Sequence, residues 1–177
     1  MNIFYLDTDV YKNVKYHVDK HVVKMPVEYC QMLSTAHRVL DGKEIVFKSE
    51  TGRKKTEWNL ENKILNSELY KATHINHPCG VWVRQSSENY RYLLSLLCNL
   101  LYEYSLRYNK IHACEMKIVH LINPPENIVT NLEFFDPPKC MPEDCHVDSV
   151  VESYRNFYKK YKSHILKWKH GNVPEWL

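Results

Sequence analysis

His17, His21, Lys24 and Glu28 are spaced four, three and four residues apart, so on a helix they would stand in one row. Imidazoles titrate near neutral pH, an amine can attack carbon, and a carboxylate can guide the accompanying proton transfers. The row therefore points to nucleophilic or general acid–base chemistry. Lys20 and Asp19 lie beside it. A second cluster runs Thr73-His74-Ile75-Asn76-His77-Pro78 and is followed by Trp82, Arg84, Asn89 and Tyr90. Such residue types contact phosphates and stack on bases, so Lys20, Arg38, His74, His77, Trp82, Arg84, Asn89 and Tyr90 are the expected nucleic-acid contacts. The plainer alternative puts Trp82 in the core and uses the histidines to cap the neighbouring helix.

No metal and no cofactor are expected. The alternative metal set is His17, His21, His74 and His77, because the HxxxH and HxxH spacings can place two imidazoles on one ion. The stronger H-E-x-x-H signature is absent, and Cys140, Cys145 and His146 have no diagnostic spacing. The chain also lacks G-x-x-x-x-G-K-[ST], G-x-G-x-x-G and G-x-S-x-G, and with four Gly it is poorly equipped to build a phosphate-cradling loop.

The elements that must position these groups are read from periodicity. Ile3–Leu6 is a short apolar run, expected as a strand or an extended arm. Thr8 or Asp9 then caps a helix running toward Val39, interrupted only by Pro26. Its buried stripe is Val18, Val22, Met25, Tyr29, Met32, Leu33 and Ala36, with the His/Lys/Glu row on the opposite face. Residues 43–58 are expected as a small hairpin within a polar stretch. Ser86 and Ser87 start the central core helix, which runs to about Tyr108. Cys114–Leu121 reads as a short helix, and the proline-rich stretch 124–142 as a surface loop. A last helix runs from Asp148 through Trp168 and is stopped by Gly171.

The 177 residues suit one domain, spanning 1–177, with a sizeable core. Hydrophobic residues at 44%, thirteen Tyr and four Gly favour a mainly α helical bundle over a disordered or turn-rich β chain. The start MNIFYLDTD lacks the basic region and long apolar run of a signal peptide, and no membrane-spanning run occurs. Six Cys without a CxxC pair fit a reducing compartment. The expected location is therefore cytoplasmic, and the expected state is monomeric. Net charge is only +3, but Arg155, Lys159, Lys160, Lys162, Lys167 and Lys169 concentrate basic charge near the C-terminus.

The strings YHVDKHVVKM (16–25), STAHRVLDG (34–42), HINHPCGVWVR (74–84), ENYRYLL (88–94) and VPEWL (173–177) resemble an uncharacterised family of small proteins of large double-stranded DNA phages and similar viruses. That likeness covers nearly the whole chain, implies no activity, and makes the expected location the host-cell interior, or the nucleus for a virus of eukaryotes. Residues 19–43 are also similar to the first helix of phage-type pyrimidine-dimer DNA glycosylases, in which a D-Q-H motif precedes a catalytic Glu by seven residues. This similarity implies a DNA-acting N-glycosylase/AP lyase, or a base-modifying enzyme, with His21 in the His position and Glu28 as the catalytic Glu. It implies double-stranded DNA as partner. The family's nucleophile is the α-amine of an N-terminal Thr. Here the amine would be that of Met1, with Lys20 or Lys24 as alternatives. The family's two helix arginines fall on Val27 and Gln31, so phosphate contacts pass to Lys20, Lys24, Arg38 or Arg84. Two further readings stand beside this one: a His-cluster metal-dependent hydrolase or nuclease, and a non-catalytic viral module that binds nucleic acid or protein.

Overall fold

The Asp9 carboxylate accepts the backbone N–H groups of Tyr11 and Lys12 and so opens α1 (Val10–Tyr16). The computed structural model describes residues 1–170 and 173–177. Ahead of α1 the arm is extended, and Ile3, Phe4, Tyr5 and Leu6 are all buried.

The expected single helix is interrupted earlier than Pro26. It breaks at His17–Val18, and α2 (Asp19–Asp41) begins beyond the break and continues straight through Pro26. A buried arginine explains the position of the break. Arg107 donates to the carbonyls of Lys15 and His17, to the Asp19 carboxylate at 3.0 Å and to Glu103 at 2.7 Å. It thus gathers backbone acceptors that a continuous helix would have used internally.

After Gly42 the chain forms an antiparallel hairpin, β1 (Lys43–Lys48) and β2 (Lys54–Asn59), in register Lys43↔Asn59 through Lys48↔Lys54. Gly52 takes the left-handed conformation (φ 75°) that its turn requires. Two short helices absent from the sequence reading follow, α3 (Lys63–Glu68) and α4 (Pro78–Val83). The Ser86 hydroxyl then accepts from Asn89 N–H and opens α5 (Ser87–Tyr108), which ends on left-handed Asn109. The short helix expected at Cys114–Leu121 is a 3-10 helix, Ala113–His120.

The proline-rich stretch is followed by a 3-10 turn, Glu143–Cys145, and then by α6 (Val150–Tyr161). The expected helix through Trp168 therefore stops at Tyr161, followed only by a 3-10 turn at Ser163–Ile165. The expected stop at Gly171 lies outside the described residues.

The architecture is mainly α. Its core forms where α2 packs on α5, with the arm and α6 closing over α2. Every residue of the expected α2 stripe is buried, as are Leu93, Leu97, Leu100 and Leu101 of α5. Among the described residues no helix is long and apolar enough to cross a membrane.

Candidate active site beside the first residue

The His/Lys/Glu row flanks the apolar stripe of α2 instead of opposing it. At about 100° per residue, His21 stands only about 20° from Met32 around the helix, Glu28 about 40° and Lys24 about 80°. Burial follows those angles. His21 is 6% exposed, and the side chains of Glu28 and Lys24 are 14% and 70% exposed.

His21 is therefore a core residue. Its ring stacks on Phe4 at 4.2 Å, and Nδ1 shares a 2.6 Å hydrogen bond with the Tyr158 hydroxyl. His17, at the α1–α2 break, is fully buried. Its Nδ1–H donates to the Asn13 carbonyl at 2.8 Å, and its Nε2 accepts from the Tyr29 hydroxyl at 3.3 Å. Burial pushes His17 down to about 4. Burial, then repulsion from His17, Lys162 and Lys24, takes His21 to about 2. Both are neutral packing groups, and this corrects the placement of His21 among the catalytic residues and of both rings in a four-histidine metal set.

Several expected nucleic-acid contacts are likewise structural. Arg38 is buried and donates to the carbonyls of Tyr70, Trp58, Asn66 and Leu69 and to the Asn66 side chain. Every acceptor lies within the protein, so its guanidinium is not presented to a phosphate. Trp82 is buried, and its indole N–H donates to the Phe135 carbonyl at 3.0 Å. Asn89 donates to the Trp82 carbonyl. The Tyr90 hydroxyl donates to the Leu121 carbonyl and accepts from His37 Nε2. These four corrections share a cause: each polar group is satisfied by partners inside the fold.

Lys20 and His74 remain exposed, and His74 takes a positive φ of 49° with Nδ1 hydrogen-bonded to the Thr73 hydroxyl at 2.8 Å. Arg84 caps the end of α4 away from His77, and its Nη1 is buried without a hydrogen-bond partner among the described residues.

The groups that do converge surround the first residue. The α-amine of Met1 lies 3.7 Å from Glu28 Oε2, and Lys24 Nζ lies 2.9 Å from Glu28 Oε1, so one carboxylate holds two amines. The Met1 side chain is 5% exposed, and Ile3–Leu6 behind it are buried, which fixes the amine on a packed arm. Asn2 anchors the same arm by donating to the Cys140 carbonyl at 2.7 Å.

His77, Cys79 and Cys140 stand next to this group. His77 caps α4, its Nδ1 accepting the Cys79 N–H at 3.2 Å. Its pKa is lowered by burial first and then by the Met1 amine and His74, against an opposing pull from Glu28. The Cys79 thiol donates to Cys140 Sγ at 3.5 Å. That bond holds the proton on buried Cys79 and draws the Cys140 thiol below its ordinary range, with the Met1 amine adding to the effect.

Met1, Lys24, Glu28 and His77 are among the residues singled out in the sequence, whereas Cys79 and Cys140 are not. The only local signal was the His77-x-Cys79 spacing, because Cys140 arrives from a distant loop. Chemically, the arrangement offers amine nucleophiles held on a carboxylate, with an imidazole and two thiols alongside. No family model matches the chain, and no curated protein or solved structure matches it.

Proposed function

We propose that the chain is a DNA-acting enzyme of the N-glycosylase/AP-lyase type, with the Met1 α-amine as nucleophile and Glu28 as the proton-transfer group. The contact between that amine and Glu28 carries the reading. The amine is fixed on the packed arm, the Met1 side chain being 5% exposed, whereas the Lys24 side chain is 70% exposed. Lys24 then serves as the second cation on Glu28 and, with Lys20 and Lys162, as a contact for phosphates.

In the proposed reaction the amine nitrogen bonds to the sugar C1′, and the bond from C1′ to the base breaks. The electron pair leaves on the base, which takes up a proton. Loss of the amine proton and opening of the C1′–O4′ bond give an imine. Removal of a C2′ proton then expels the 3′ phosphate, and water releases the enzyme. Glu28 is the group positioned to shuttle protons at the nitrogen.

The test is borohydride trapping on duplex oligonucleotides that carry an abasic site, ultraviolet-damaged pyrimidines or modified bases. Peptide mass mapping locates any adduct. An adduct at the Met1 nitrogen that Glu28→Gln suppresses is expected. Failure to trap on all three substrates would reject the proposal, and an adduct at Lys24 would transfer the nucleophile's role to that residue.

A further inference from the structure

We infer that His77, Cys79 and Cys140 form a zinc site with three protein ligands, built between α4 and the proline-rich loop. One donor atom from each residue lies within 4.8 Å of the other two. Two thiolates and an imidazole are the ligand chemistry that Zn²⁺ favours.

Geometry supports a shared ion over an incipient disulfide. Two thiolates bound tetrahedrally at about 2.3 Å from zinc stand about 3.8 Å apart, whereas a disulfide requires about 2.05 Å. The Cys79 and Cys140 sulfurs are 3.5 Å apart. The imidazole is also suitably disposed. Its Nδ1 accepts a long 3.2 Å bond from Cys79 N–H, so the electron pair faces the cysteine and the proton sits on Nε2. That same electron pair is available to a metal at the cost of one weak capping bond.

Two separate supports hold the three donors. Pro78 at the first position of α4 fixes the turn between His77 and Cys79. Cys140 is held by its N–H donating to the Pro138 carbonyl and its carbonyl accepting from Asn2. An ion bridging the two would tie the proline-rich loop to α4 and, through Asn2, steady the arm that carries Met1. With three protein ligands, a fourth position remains for water or a substrate atom, the pattern of zinc sites that perform chemistry. The metal site does not depend on the glycosylase reading.

Metal analysis of the full chain, purified under reducing conditions without chelator and then exposed to Zn²⁺, tests the inference. About one zinc per chain is expected, with Cys98→Ser retaining it and Cys140→Ser losing it while circular dichroism is unchanged. Cobalt substitution of the unaltered protein supplies a readout that needs no variant, because a thiolate-to-cobalt charge-transfer band reports sulfur ligands. Any one of three results would overturn the site: no zinc uptake, retention of zinc by a folded Cys140→Ser protein, or a cobalt spectrum without the thiolate band.

Discussion

Lowering the pH from 7 to 5 should destabilise the fold by about 4 kcal/mol through His17 and His21 alone. Both rings are buried, with pKa values pushed down to about 4 and about 2, whereas an imidazole in the unfolded chain titrates near about 6.5. Each is therefore neutral when folded and takes up a proton on unfolding. The stabilisation is fully present above about pH 6.5 and is lost as the pH falls toward the folded values. At pH 5 a site with an unfolded pKa of about 6.5 and a folded pKa of 4 or below contributes about 2 kcal/mol in favour of the unfolded chain, and at pH 7 only about 0.2 kcal/mol. The two sites together give the stated difference, a large share of the roughly 5–15 kcal/mol that stabilises a typical domain. Urea unfolding followed by circular dichroism at pH 7, 6 and 5 measures it. The decline should steepen below pH 6, and His17→Gln should remove about half of it. A stability that stays flat between pH 7 and 5 would refute the reasoning, because it would mean that both rings can be protonated inside the fold.

Arg38→Met should cost about 3–5 kcal/mol in unfolding experiments, since it strands four carbonyls at once, one buried and three part-buried. Where the variant remains folded, its affinity for an oligonucleotide should be unchanged in a fluorescence titration. Arg107→Met should destabilise by a similar about 3–5 kcal/mol, because Glu103 and Asp19 lose their buried counter-charge. Glu28→Gln should retain the fold and reduce turnover on a trapped substrate by about 10²–10⁴-fold, measured in single-turnover assays. Replacing Lys20 and Lys24 together with Ala should weaken DNA binding uniformly across sequences and flatten its salt dependence by about two charges, read from titrations at several salt concentrations.

The elements with strong local signals were legible in the chain. The α2 stripe from Val18 to Ala36 is a three-and-four repeat that survives any tertiary arrangement, and the leucines of α5 carry the same information. The hairpin is legible because Gly52 and its polar neighbours punctuate two short extended runs. The break at His17–Val18 was not, since it depends on Arg107 reaching across from another helix to take the Lys15 and His17 carbonyls. Nor was the end of α6 at Tyr161, because the apolar spacing that continues to Trp168 buries side chains equally well from irregular backbone.

The candidate site divides along the same line. Residue type and spacing single out Lys24 and Glu28 together with His17 and His21 as one row, Met1 enters only through the resemblance to the pyrimidine-dimer glycosylases, and the meeting of its amine with Glu28 is a tertiary fact. Whether a polar group faces solvent or the core depends on what packs against it. His21, Arg38, Trp82 and Tyr90 were turned inward by Phe4, α3, Phe135 and Leu121, partners that periodicity does not reveal. The meeting of Cys140 with His77 and Cys79 is likewise a tertiary fact: sixty-one residues separate the two cysteines, and only the folding of the proline-rich loop onto α4 brings their sulfurs together.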